Sequence, residues 1–154
     1  MASHLISIED HRTDDVRRLL ERHLSFAREV TPPGHVHAFD HGRFDEQGVT
    51  LFGLRDDGEL LGIGALRQLD AAHFEIKSMH TVPQARRQGI GQAILDHLLE
   101  EARARGASRV SLETGSFGEF AAARDLYRSA GFTECGPFGD HVESEISTFL
   151  TLEL

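Results

Sequence analysis

The stretch that most restricts how this chain can fold runs from Met79 to Ala93: Met-His-Thr-Val-Pro-Gln-Ala-Arg-Arg-Gln-Gly-Ile-Gly-Gln-Ala. His73 to Thr81 alternates with a period of two and reads as a strand. Phe74 and Ile76 should face one way, and Glu75, Lys77 and Met79 the other. Pro83 and the pair Arg86-Arg87 follow, and then Gly89-x-Gly91 opens a helix. That helix, Gly89 to Arg105, carries Ile90, Ala93, Ile94, His97, Leu98 and Ala102 at helical spacing and stops at Gly106. The first amides of a helix have no partner within it and carry about half a positive charge. Glycines let a ligand come close to such a backbone. Together these features make a site for a phosphate or pyrophosphate. The alternative is an ordinary solvated helix with a glycine-rich entry.

The charge distribution agrees with an anion site. Residues 84–109 hold five Arg against three acids, whereas the rest of the chain holds eleven cations against twenty-two acids. The formal charge of −9 argues against a nucleic-acid partner held by phosphate contacts and against docking on anionic membranes. No apolar run approaches the ~20 residues needed to span a bilayer. The first ten residues lack the basic and apolar regions of a signal peptide, so the expected location is the cytoplasm. Cys135 is the sole cysteine, which excludes an intrachain disulfide and a Cys-rich zinc site. At 154 residues, one domain spanning 1–154 is expected.

The remaining elements follow from periodicity and punctuation. Leu5 to Glu9 reads as a first strand. Thr13 precedes Asp14-Asp15 and a helix of about 17 residues with Val16, Leu19, Leu20, His23, Ala27 and Val30 on one side, ending before Pro32-Pro33. Val49–Arg55 and Leu60–Leu69 form a hairpin about Asp56-Asp57-Gly58-Glu59. Arg109–Glu113 is a short strand. A helix runs from about Glu119 to Ala130, Gly131 ends it, Phe132 begins a strand, and Ser147–Glu153 is the last. The order β-α-β-β-β-α-β-α-β-β predicts a mixed α/β (α+β) sheet with helices packed on it.

Neither common phosphate motif fits. A P-loop requires Gly-x-x-x-x-Gly-Lys-Ser/Thr, and a dinucleotide fingerprint would need glycine where Ile94 stands. Arg86-Arg87-Gln88-Gly89-Ile90-Gly91 instead resembles the Arg/Gln-x-x-Gly-x-Gly/Ala pyrophosphate signature of the GNAT superfamily, the acyl-CoA-dependent N-acetyltransferases. Pro83 stands three residues before the signature Arg, as is common there. Leu126-Tyr127-Arg128-Ser129-Ala130-Gly131-Phe132 resembles the family's late Leu-Tyr-x-x-x-Gly-Phe segment. Both motifs, in this order and spacing, extend the resemblance over the whole chain.

This resemblance implies a mixed, mostly antiparallel β-sheet with helices on both faces. It implies transfer of the acetyl group of acetyl-CoA, as co-substrate, to a primary amine of a small molecule or peptide, directly within a ternary complex and without a metal. Arg86, Arg87, Gln88, Gly89, Ile90 and Gly91, with Gln92, would hold the pyrophosphate, and Arg124 is a further phosphate candidate. The edge Met79-His80-Thr81 would pair with the pantetheine arm, and the strands His73–Thr81 and Arg109–Glu113 would splay to admit it. A homodimer through the late strands is an analogy only. A module that binds acyl-CoA without turnover is an alternative, as is transfer of a longer acyl group or transfer to a hydroxyl.

Acyl transfer to a Lys-like amine, of pKa near 10.4, costs ~4–5 kcal/mol to reach the free base at neutral pH. Glu75, eleven residues before Arg86, is the candidate base, acting directly or through a water; the alternative is a strand carboxylate paired with Lys77. Tyr127, the only tyrosine, is by resemblance the proton donor to the departing thiolate, with a core tyrosine as the alternative. Lys77, Glu29, His35 and His37, with His41 nearby, are candidate acceptor contacts. The mobile character suggested by Pro32-Pro33-Gly34 disfavours a metal site among these histidines. The acceptor loops implied by the resemblance are Pro32–His41, Thr114–Gly118 and Pro137–Glu143.

Overall fold

The computed structural model describes residues 4–30, 44–45, 48–139 and 141–154, with the side chains of residues 27–30 and 119 outside the description. The chain forms β1 (His4–Ile8), α1 (Asp14–Val30), β2 (Val49–Asp56), β3 (Glu59–Gln68), β4 (His73–Thr81), α2 (Ile90–Ala104), β5 (Arg109–Gly115), α3 (Ala121–Ser129), β6 (Thr133–Glu134) and β7 (Ser147–Glu153). Single 3-10 turns at Pro83–Ala85 and Gly118–Phe120 lead into α2 and α3. The seven strands lie in the order β1-β2-β3-β4-β5-β7-β6. Every adjacent pair is antiparallel except β4 with β5. No helix among the described residues is long and apolar enough to cross a membrane.

Each face of the sheet buries a different helix set, as the family resemblance implies. Val16, Leu19 and Leu20 of α1 pack with Leu51, Ile63 and Ala65 on one face. Ile94, Leu95 and Leu98 of α2, with Tyr127 of α3, pack with Phe74, Ile76 and Leu112 on the other. The acids at the start of α1 do more than favour the helix dipole. Arg55 of β2 bonds Asp15 at 2.7 Å and Glu9 at 2.8 Å, which fixes the β1–α1 connection against the sheet.

Helix α2 lies close to the backbone of β3 because β3 presents a glycine there. A Cβ on Gly64 would sit 2.8 Å from Ile94 Cγ2 and 2.8 Å from Met79 Sδ. This close approach anchors the N-terminal half of α2 over β3 and β4.

One strand departs from simple alternation. Lys77 pairs with Ala65, yet His80 pairs with Ile63, so β4 holds one extra residue at this point. Ser78 absorbs it at φ +58. Such a β-bulge reverses which side chains face which way. The expectation that Met79 would share a face with Glu75 and Lys77 is therefore corrected: Met79 packs with the α2 core, and His80 takes the α1 side.

Gly64→Val should overpack this contact. We expect a loss of ~1–3 kcal/mol, read as a lower denaturant midpoint with an unchanged slope.

Candidate active site

The central strands part. Parallel pairing of β4 with β5 begins at His73 with Arg109 and ends at Ile76 with Leu112. Beyond that, β5 stays paired with β7 as far as Gly115 opposite Ser147. On its other side β4 stays paired with β3 as far as Thr81 opposite Gly62. The edge of β4 from Lys77 to Thr81 thus faces a gap rather than a strand, and it keeps its capacity to take an extended ligand as an added strand.

The gap opens toward the start of α2. Arg86 is extended, Arg87 has φ +65, and Gly89, the residue preceding the helix, has φ +79. This backbone conformation, not lack of space, requires glycine at 89, since nothing lies within 4 Å of a Cβ built there. No side chain caps the helix and no acid stands in its first turn. Among the described residues, no backbone carbonyl accepts from the amides of residues 87–92. Arg86 and Arg87 are exposed around this turn. The side chains of Gln88 and Gln92 turn back to Gln84 O and Asp96, leaving the amide face clear. Amides left over in this way, at the positive end of the helix dipole, suit a diphosphate.

A cavity of about 460 Å³ lies on the α1 side of this opening, lined by Arg22, Ser25, Phe26, His80, Pro83 and Arg86. His80 Nδ1 lies 3.2 Å from His23 Nδ1 of α1. Burial, helped by the charge of Lys77, pushes His23 down to about 4. Burial, with His23, Arg86 and Arg22 nearby, pushes His80 down to about 3. Both rings are therefore neutral near pH 7, and His80 Nε2 is buried with no hydrogen-bond partner among the described residues. The sequence offered His23 only as a member of an apolar stripe.

Glu75 lies at the root of the gap and is wholly buried. His141 Nε2 lies 2.7 Å from its Oε2, Lys77 Nζ 3.4 Å from the same oxygen, and Arg67 3.5 Å from Oε1. The Glu75–Lys77 pair that the sequence offered as the alternative to a catalytic base is thus present. Burial alone would raise the Glu75 carboxyl, but the His141 bond and the cations Lys77 and Arg67 hold it below its usual value. His141 also faces Glu113 at 3.5 Å. Arg67, Glu113 and His141 were not singled out from sequence. His141 falls within Pro137–Glu143, a segment the sequence marked only as a loop.

Tyr127 is buried on the α2 face, its ring 5.8 Å from that of Phe132, and burial raises its hydroxyl well above the usual phenol value. It stays protonated at any working pH. Arg124 donates through Nη1 to Gly115 O at 2.7 Å and Phe117 O at 2.8 Å, so it holds the β5–α3 connection. His35, His37 and His41 lie outside the described residues, as does the Glu29 side chain.

The family model described as "Acetyltransferase (GNAT) family" matches residues 13–132. The Uncharacterized N-acetyltransferase YsnE of Bacillus subtilis is 40% identical over 149 residues, covering 97% of this chain and 99% of that protein. A solved acyl-CoA N-acyltransferase candidate from Klebsiella pneumoniae superposes with a TM-score of 0.79 at 24% identity, over 98% of this chain and 97% of that one. A GNAT family acetyltransferase from Elizabethkingia anophelis, solved with acetyl-CoA bound, superposes with a TM-score of 0.66 at 17% identity, over 98% of both chains.

The two neutral histidines make stability depend on pH. The unfolded chain protonates them below ~6.5, whereas the folded chain resists until about 4 and about 3. Their contribution is fully present above ~6.5 and is lost as pH falls through that window. A His23→Asn/His80→Asn variant should show a flatter fall of unfolding free energy between pH 6.5 and 4 in denaturant titrations. An unchanged slope would remove these residues as its source.

Proposed function

The chain belongs to the acetyltransferase (GNAT) family and is an acetyl-CoA-dependent acetyltransferase; from that premise we propose that it transfers the acetyl group directly to a primary amine of a small molecule or peptide, both substrates being bound together. The observation that carries this reading is the parting of β4 from β5 beside an uncapped, acid-free helix start.

The amides of Arg87 to Gly91, with Gln92 and the exposed Arg86, hold the diphosphate of coenzyme A. The free edge at Met79, His80 and Thr81 pairs with the pantetheine arm. A backbone N–H near Met79 or His80 stabilises the oxyanion that develops on the thioester carbonyl. Arg124 acts on the phosphates only by shaping the loop it already holds.

Glu75 is the base for the acceptor ammonium. It is ionised at neutral pH and, being wholly buried, takes the proton directly or through a water. The amine lone pair attacks the carbonyl carbon, the C–S bond breaks, and Tyr127 protonates the departing thiolate. Lys77 contributes by keeping Glu75 charged, and the α1-side cavity receives the acceptor. No covalent enzyme intermediate is needed.

Acetyl-CoA and a panel of amines should give acceptor-dependent thiol release and a product heavier by one acetyl group. Tyr127→Phe should lower turnover ~10²-fold or more with little change in acetyl-CoA affinity by calorimetry. Unchanged turnover would remove Tyr127 from the mechanism, and binding without any acceptor-dependent thiol would indicate a module that only binds acyl-CoA.

A further inference from the structure

Glu75 is the one buried carboxylate among the described residues, and the groups around it come from four parts of the chain. Arg67 reaches it from β3, Lys77 from its own strand, and His141 from the connection between β6 and β7. Glu113 of β5 faces the far side of His141. The imidazole is only 9% exposed and is enclosed by Phe138, 4.9 Å away between ring centres, and Phe149, 5.8 Å away. Its loop is held in place by a bond from its own amide to Phe138 O at 3.0 Å. His73, beyond Phe138, is committed to Ser111 at 2.7 Å.

Both ring nitrogens of His141 point at carboxylate oxygens. Nε2 is 2.7 Å from Glu75 Oε2 and Nδ1 is 3.5 Å from Glu113 Oε1. An ionised carboxylate only accepts hydrogen bonds, so the 2.7 Å contact calls for a proton on Nε2. The position matters as well. Ile76 opposite Leu112 is the last rung between β4 and β5. Glu75 lies one residue before that rung and Glu113 one residue after it, so His141 clamps the two strands at the point where they part.

We infer that His141 is a positioning residue for the acetyl transfer: set between Glu75 and Glu113 at the root of the gap, it donates through Nε2 to Oε2 of Glu75, fixes that oxygen, and leaves Oε1 as the one that takes the acceptor proton, directly or through a water. Oε1 accepts no hydrogen bond among the described residues, and Arg67 approaches it only to 3.5 Å. In the step, the proton leaves the acceptor nitrogen and arrives on Oε1, and the freed electron pair forms the amide bond. The proton passes to solvent on product release. His141 neither gives nor takes the transferred proton. The inference rests on Glu75 being the base in the proposed function.

Two measurements on the full chain test it. In imidazole 1H–15N spectra, His141 Nε2 should carry a proton, and Glu75→Gln should move the Nε2 resonance. An unprotonated Nε2, or a resonance that Glu75→Gln leaves in place, overturns the inference without any acceptor being known. In thiol-release assays with the fastest amine of the panel, His141→Phe removes the donor toward Oε2 that helps hold the Glu75 carboxyl down. The acid limb of kcat/KM should then shift about 1 unit toward higher pH, with the KM for acetyl-CoA unchanged. A lower kcat with an unmoved pH profile means a structural role only and overturns the inference. Full activity of Glu75→Gln would overturn the base assignment itself. An inactive Glu75→Gln beside a pH-silent His141→Phe would sink this inference alone.

Discussion

The structure depends on a single parallel strand pair that stops early. Four rungs join β4 to β5, and then the two strands are claimed by different neighbours, β3 on one side and β7 on the other. Neither can close the gap without abandoning an antiparallel ladder. Backbone groups on β4 are thereby left free to meet a ligand, although such groups are almost always paired in protein interiors. The gap leads to the start of α2, where a second set of unpaired amides lies. One topological choice therefore leaves both an open strand edge and, beside it, a helix start with unpaired amides among the described residues.

Two kinds of burial prepare the chemistry. On the α2 face, an apolar core surrounds Tyr127 and keeps its phenol protonated. On the other face, a charged cluster surrounds Glu75 and keeps its carboxylate ionised despite complete burial. Removing one partner from such a cluster leaves an uncompensated charge, which costs far more than an exposed pair would. The proposed acid and the proposed base are thus set apart by environment: apolar packing on one face and charge pairing on the other.

Much of this was legible in the sequence. Element order, the hairpin, the glycine turn and the two helix faces follow from period and punctuation. Those signals are local, and tertiary packing did not override them. His73–Thr81 and Ser147–Glu153 match their strands residue for residue. The bulge at Ser78 was not legible, because an extra residue leaves alternation intact on either side of it and nothing in Lys-Ser-Met-His marks the slip. The clamp on Glu75 was not legible either. Arg67, Glu113 and His141 are 8, 38 and 66 residues from Glu75 in the chain, and only the sheet order brings them together. The bonds of Arg124 were not legible for a similar reason: its guanidinium meets carbonyls whose position depends on where β5 ends.

The most direct test of the account is an amide titration by heteronuclear NMR, with coenzyme A compared against pantetheine, which lacks the diphosphate. The account predicts large shifts of the Gln88 to Gln92 amides with coenzyme A and small ones with pantetheine, while Met79 to Thr81 respond to both. If the amides at the start of α2 stay still while coenzyme A binds elsewhere, the central claim is contradicted.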